Sequence, residues 1–178
     1  LRTDLLSVVL ECALWGVTDS SALSWLDRPP EAAWNAAKAL LVWQDALDSD
    51  GHITELGHAM TALGVHPRVA AVALAGSLAL AAKYAQGSDN PREAERFSAD
   101  LAHRLERVNS RLGKREQIES RPEMALLAGF PDRIALHVAD GVYKFPSGRL
   151  AALPREIRGG QSRFPKWIVA PEVDAGLS

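Results

Sequence analysis

Three of the chain's five histidines, His52, His58 and His66, fall in one short stretch, GHITELGHAMTALGVHPRVA at 51–70. Histidines so close together raise metal binding or acid–base chemistry. Their spacings of six and eight residues oppose the first, because helical zinc pairs sit at i,i+4 or share short loops with cysteines. His52 reads as part of a hairpin, His58 as helical, and His66 as a loop residue before Pro67. Asp48 and Asp50 belong to a turn, where acids are common for local hydrogen-bonding reasons. The single cysteine, Cys12, lies in the apolar run LECAL and reads as a buried reduced thiol, with no basic neighbour to activate it. No G-x-S-x-G elbow and no G-x-x-x-x-G-K-S/T phosphate cradle occurs, and GGQSR at 159–163 leads into no helical pattern. We therefore assign no catalytic, metal-ligating or cofactor-binding residue.

Charge offers a different chemistry. Residues 1–66 carry three bases against nine acids, and 67–178 carry seventeen against thirteen, so an overall charge of −2 hides local charges of −6 and +4. The excess concentrates in 141–170, where Lys144, Arg149, Arg155, Arg158, Arg163 and Lys166 face Glu156 alone. Such a segment suits a polyanion-binding face; it equally suits an ordinary solvated rim. With Arg133 these six make the candidate nucleic-acid-binding set. Tyr143, Phe145, Phe164 and Trp167 are interleaved with them, either as sheet core or as platforms for unpaired bases.

The elements that must position these residues follow from periodicity and punctuation. Residues 4–15 form an apolar helix that Gly16 ends in the left-handed conformation. Asp19 or Ser20 caps a short helix carrying Leu23, Trp25 and Leu26, stopped by Pro29-Pro30. Helix formers run from Glu31 to Ala46 with an apolar stripe of Trp34, Ala37, Leu41 and Trp43; all four early tryptophans, Trp15 and Trp25 included, are expected in the core. ALDSDGHI contains a strand and a tight Asp50-Gly51 turn, Thr54 caps the helix ELGHAMTAL, and Pro67 opens a helix expected to run to about Ala85. A charged helix spans about 91–113, with Leu101, Leu105, Val108 and Leu112 at helical spacing, and RPEMALLAGF is one more short helix. After Phe130 the runs RIALHVA, GVYKF, GRLAALP and KWIVAPEVD are β-branched and aromatic, broken by Asp140-Gly141, Ser147-Gly148 and Gly159-Gly160. The expected fold is mainly α with a small C-terminal antiparallel β module. It comprises a winged helix at 1–66 (the pattern alone also suits a helical bundle), a helical domain at 67–129, and an OB-like or partial-barrel sheet at 130–178.

The segment ALDSDGHITELGHAMTALGVHPRVA resembles a signature of DEAH-box RNA helicases, at Ala46-Leu47-Asp48, Gly51, Thr54, Leu56-Gly57, Met60, Leu63 and Pro67-Arg68. Upstream, Trp15-Gly16, Asp19 and the WLDRPP box at 25–30 are similar to the bacterial HrpB-type branch, as is His66 before Pro67-Arg68. Downstream, GFPDRIA at 129–135 and PKWIVAPEVDAG at 165–176 resemble the opening and closing of that branch's β-rich module. The resemblance is specific over 10–70 and weak over 86–120.

What it implies is a winged helix followed by a helicase-associated, ratchet-like helical domain and a β-rich module. Such a region guides and holds single-stranded RNA while RecA-like motor domains, absent from this chain, bind ATP and magnesium and do the pulling. The expected partners are single-stranded RNA or other nucleic acid and those motor domains. No membrane is expected, since no apolar run is long enough. With no disulfide framework available, the expected compartment is cytoplasmic. The start at Leu1 reads as processing or as excision from something longer. Two other readings stay open: a free-standing winged-helix nucleic-acid-binding protein, which residues 31–46 with Lys38 as their one base oppose, and a protein-interaction scaffold.

Overall fold

The computed structural model describes residues 4–86, 91–112, 121–160 and 163–172. The chain forms two compact units, Leu1–Gly129 and Phe130–Ser178.

The first unit is helical. Helix α1 (Leu6–Leu14) closes at Gly16, whose φ of 79° lets Gly16 and Val17 donate back to the carbonyls of Ala13 and Cys12. The short helix expected around Leu23 to Leu26 is instead one 3₁₀ turn, Ser20–Ala22, capped by Asp19. Trp25 Nε1 takes the Ser20 carbonyl at 2.6 Å, so the chain turns outward before Leu26 can join a helix. Helix α2 (Glu31–Trp43) buries Trp34, Ala37, Leu40 and Leu41. Trp34 meets Trp25 edge-on at 6.0 Å. Trp43 is 64% exposed, contrary to the expected stripe. At about 100° per residue it lies half a turn around the helix from Trp34. Trp15 is also exposed and Trp25 half-buried, so of the four early tryptophans Trp34 alone is core.

The hairpin after α2 shrinks to a single antiparallel bridge, Leu47 to Ile53. Asp48 Oδ1 replaces the missing ladder, accepting from the backbone N–H groups of Asp50, Gly51 and His52 at 2.8–2.9 Å. Helix α3 (Glu55–Leu63) starts where Thr54 Oγ1 accepts from Gly57 N at 3.0 Å. The Leu63 carbonyl at its C-terminal end accepts from Arg104 Nη1 at 2.9 Å.

Pro67 opens α4 (Pro67–Leu74), which His66 caps by accepting from Arg68 N through Nδ1. The single helix expected up to Ala85 is two, because the chain turns at Gly76 (φ 96°) before α5 (Leu78–Gln86). Helices α6 (Pro91–Leu112) and α7 (Pro122–Gly129) complete the unit. Leu101 and Val108 are buried and Leu105 half-buried, as the spacing requires, whereas the Leu112 side chain and the expected end at Gly113 lie outside the described residues. Helices on both sides of Pro67 share one core: α3 packs on α1, α4 and α6, and α4 also packs on α5 and α7. The Gly129 carbonyl, at the end of α7, receives both Gln44 Nε2 at 2.9 Å and Arg68 Nη1 at 3.1 Å.

The second unit begins with a 3₁₀ turn, Pro131–Arg133, and a four-stranded antiparallel sheet of order β3-β2-β1-β4. The strands are β1 (Ile134–Ala139), β2 (Val142–Lys144), β3 (Leu150–Ala152) and β4 (Trp167–Val169). Asp140 and Gly141, both at positive φ, make the β1–β2 turn. One face of the sheet carries the core, Ala135, Tyr143 and Phe145, packed by Ala151, Leu153, Ile168 and Ala170. A helix not expected from the sequence, α8 (Arg155–Gly160), lies between β3 and β4 along the chain. Residues 161–162 of the GGQSR motif, and the end of the PKWIVAPEVDAG strand from 173, lie outside the described residues.

Candidate nucleic-acid interface

The histidines do not assemble into a site. His52 is exposed and lies 3.4 Å from Asp48, His58 is exposed on α3, and His66 Nε2 lies 3.3 Å from Asp4 Oδ2. The His66 side chain makes two contacts, with Nδ1 accepting from Arg68 N at 3.3 Å and Nε2 hydrogen-bonded to Asp4. That hydrogen bond, ahead of Leu6 N–H and the nearby Arg68 charge, holds the Asp4 carboxyl below the usual carboxylate range against an opposing cost of burial. Among the described residues the one group with metal-like proximity is Asp48, Asp50 and His52, all exposed. Asp48 is already occupied by the three turn N–H groups, which depress its pKa without any ion. Cys12 is half-buried rather than buried, and desolvation followed by the Glu11 charge pushes its thiol up, away from reactivity.

The pleat of the second unit sorts the basic and aromatic residues. Side chains alternate between faces, so the register pairs Leu150–Lys144, Lys144–Leu136 and Leu136–Trp167 form one row across all four strands on the face opposite the core. Every member of that row is exposed, and Trp167 is exposed by 57%. At the usual strand spacing the row spans about 14 Å. Of the aromatics, Tyr143 and Phe145 are core. The Tyr143 hydroxyl donates to the Pro165 carbonyl at 2.9 Å, and burial raises its pKa. Phe164 is half-buried and stacks on His137 at 5.3 Å, leaving Trp167 as the exposed aromatic among the four.

The seven candidate bases do not share one face. Lys144 stands in the outer row, and Lys166 and Arg163 are exposed on the approach to β4. Arg149 is exposed just before β3. Arg155 and Arg158 sit on α8. Arg133 is tied down: its Nη1 donates to the Pro171 carbonyl at 3.3 Å, and its Nε lies 3.5 Å from Asp132. On the α8 side, Asp140, Arg155, Arg158, Gly159 and Phe164 line an open recess of about 450 Å³. The sequence reading missed α8, although Pro154 followed by Glu156 is a helix-start signal, with Arg158 N–H donating to the Pro154 carbonyl at 3.0 Å.

The bridge-and-helix arrangement of the first unit has a known counterpart. Residues 39–65, the end of α2 through α3, match the family described as Helicase associated domain (HA2), winged-helix. Across 96% of the chain the sequence is 33% identical to the Escherichia coli (strain K12) protein named ATP-dependent RNA helicase HrpB. The chain matches the C-terminal region of HrpB. Two solved structures bear this out. One, of the E. coli DExH-box NTPase HrpB, superposes over 99% of this chain with a TM-score of 0.67 at 29% identity. A second, of the Escherichia coli DEAH/RHA helicase HrpB, covers 96% with a TM-score of 0.63 at 28% identity. The chain spans 23% of the length of the curated HrpB it matches. It is thus similar to a helicase accessory region, mainly helical and ending in a small antiparallel sheet. Among the described residues no helix is long and apolar enough to cross a membrane.

Proposed function

We propose that this chain is the non-catalytic accessory region of an HrpB-type ATP-dependent RNA helicase, and that it guides and holds single-stranded RNA. ATP and magnesium would be held by RecA-like motor domains outside this chain. The observation that carries the proposal is the match, over almost the whole chain, to a protein named as an RNA helicase. Holding a strand requires phosphate contacts and stacking surfaces rather than a reactive group. The second unit offers both, in Trp167 and Lys144 on its open sheet face with Arg163 and Lys166 nearby in sequence.

The test is binding of a labelled single-stranded RNA to the 178-residue chain, with duplex DNA as competitor and ATP turnover measured in parallel. Single-strand binding without ATP turnover is the expected result. Preference for a duplex DNA sequence would favour a free-standing winged-helix regulator, and absence of any nucleic-acid binding would favour a protein scaffold.

A further inference from the structure

We infer that the recess beside the Asp140-Gly141 turn seats one guanine nucleotide of the bound strand, an assignment that names the ligand chemistry within the proposed RNA-holding role. The recess has room for a base and its phosphate, at about 450 Å³, and it joins groups of opposite kind: the Asp140 carboxylate, the Arg155 and Arg158 guanidiniums and the Phe164 ring. The Asp140 and Arg155 side chains have no hydrogen bond or ion pair among the described residues, and Arg158 Nε is buried without a partner. An unpaired buried N–H is costly unless a ligand or a water supplies an acceptor.

The Arg158 stem, the Phe164 ring and the turn backbone are held in place. A side chain at position 141 would lie 2.7 Å from Arg158 Cγ and Cδ and 3.2 Å from Phe164 Cε1, so the Arg158 stem and the Phe164 ring close over the turn. Phe164 is backed by its stack on His137. Gly141 N–H donates to His137 Nε2 at 3.4 Å, which anchors the turn to the same ring.

The combination selects a ligand. Two guanidiniums alone would take any phosphate. A carboxylate accepts but does not donate, so it repels phosphate and calls for a group with adjacent donors. Of the unpaired bases, guanine presents N1–H and N2–H side by side, matching the two oxygens of Asp140. Its phosphate then falls to Arg155 and Arg158, and its ring to Phe164.

The experiment titrates the full chain with GMP, IMP and AMP by NMR. In parallel, the chain is titrated with labelled single-stranded RNAs of equal length bearing guanine, inosine or adenine at one position. GMP should bind about fivefold tighter than AMP, the lower end expected of a bidentate base contact because the recess is open. IMP, lacking the N2 amine, should fall between. Asp140→Asn should abolish the preference without unfolding the turn, since asparagine tolerates the positive φ of 45° found there. Equal binding of the three nucleotides, or a preference that survives Asp140→Asn, overturns the assignment. RNAs bound tightly but without regard to base would overturn it while leaving the RNA-holding role intact. GMP selectivity without any oligonucleotide binding would support the recess and sink that role.

Discussion

Gly57→Ala tests why glycine occupies the middle of the matched winged-helix segment. Gly57 is buried on α3, and a Cβ there would fall on the Ala46 carbonyl oxygen, 2.6 Å from Ile53 Cγ1 and 3.1 Å from the Ala46 carbonyl carbon. The carbonyl cannot yield cheaply. It accepts from Thr54 N at 3.0 Å, and it precedes Leu47, one half of the bridge to Ile53. Overpacking against a fixed neighbour costs about 1–3 kcal/mol. Loss of a backbone hydrogen bond adds about 1 kcal/mol. Alanine's helix propensity returns at most about 1 kcal/mol. The steric side wins, and the variant should be less stable by about 2 kcal/mol, a fall in Tm of about 4–8 °C for a chain of this size. Urea unfolding followed by circular dichroism at helical wavelengths would measure it, because most helices lie in the first unit. His58→Ala, on the next and exposed position, should change stability by less than about 0.5 kcal/mol. A Gly57→Ala variant as stable as the parent would refute the close-approach reasoning.

Thr54→Ala removes the α3 cap and should cost about 1 kcal/mol in urea unfolding, with Thr54→Ser restoring most of it. The Asp4 carboxyl is depressed in the fold by His66, so its stabilising effect is present above the usual carboxylate range and lost as pH falls through its lowered pKa. Asp4→Asn should therefore lower Tm at neutral pH, and the gap to the parent should close in acid; a gap of constant size would contradict the His66 contact. Trp167→Ala should weaken single-stranded RNA binding by at least about fivefold, the stacking contribution of roughly one base, while Trp167→Phe retains much of it.

Sequence patterns marked the caps, glycines and prolines well, because each acts through its own backbone: Thr54, Gly16, Pro67 and the Asp140-Gly141 turn all stand where expected. Tertiary placement was harder. Apolar character alone assigned Trp15 and Trp43 to the core, whereas α2 turns Trp43 half a turn away from buried Trp34. A break at Gly76 was hidden by the small-residue run around it, which favours helix on both sides. At the candidate interface, composition showed the basic excess but not its division, since the β pleat sends Lys144 and Trp167 to the outer face while α8 carries Arg155 and Arg158. Nor could a run of short strands reveal the recess, which is lined by α8 in the stretch between GRLAALP and KWIVAPEVD, where no element was expected.

The central claim, that the second unit holds single-stranded RNA through its bases, is tested most directly by the salt dependence of RNA affinity. If three or four of Lys144, Arg149, Arg155, Arg158, Arg163 and Lys166 contact phosphates, log K should fall against log salt with a slope of about −2 to −3. The triple reversal Arg149→Glu, Arg155→Glu and Arg158→Glu should flatten that slope and weaken binding far more than Arg107→Glu, at an exposed position of α6. Arg104 is unsuitable as the control because it caps the Leu63 carbonyl and pairs with Asp100. Binding that is indifferent to salt, or equally sensitive to Arg107 and to the triple reversal, would contradict the account.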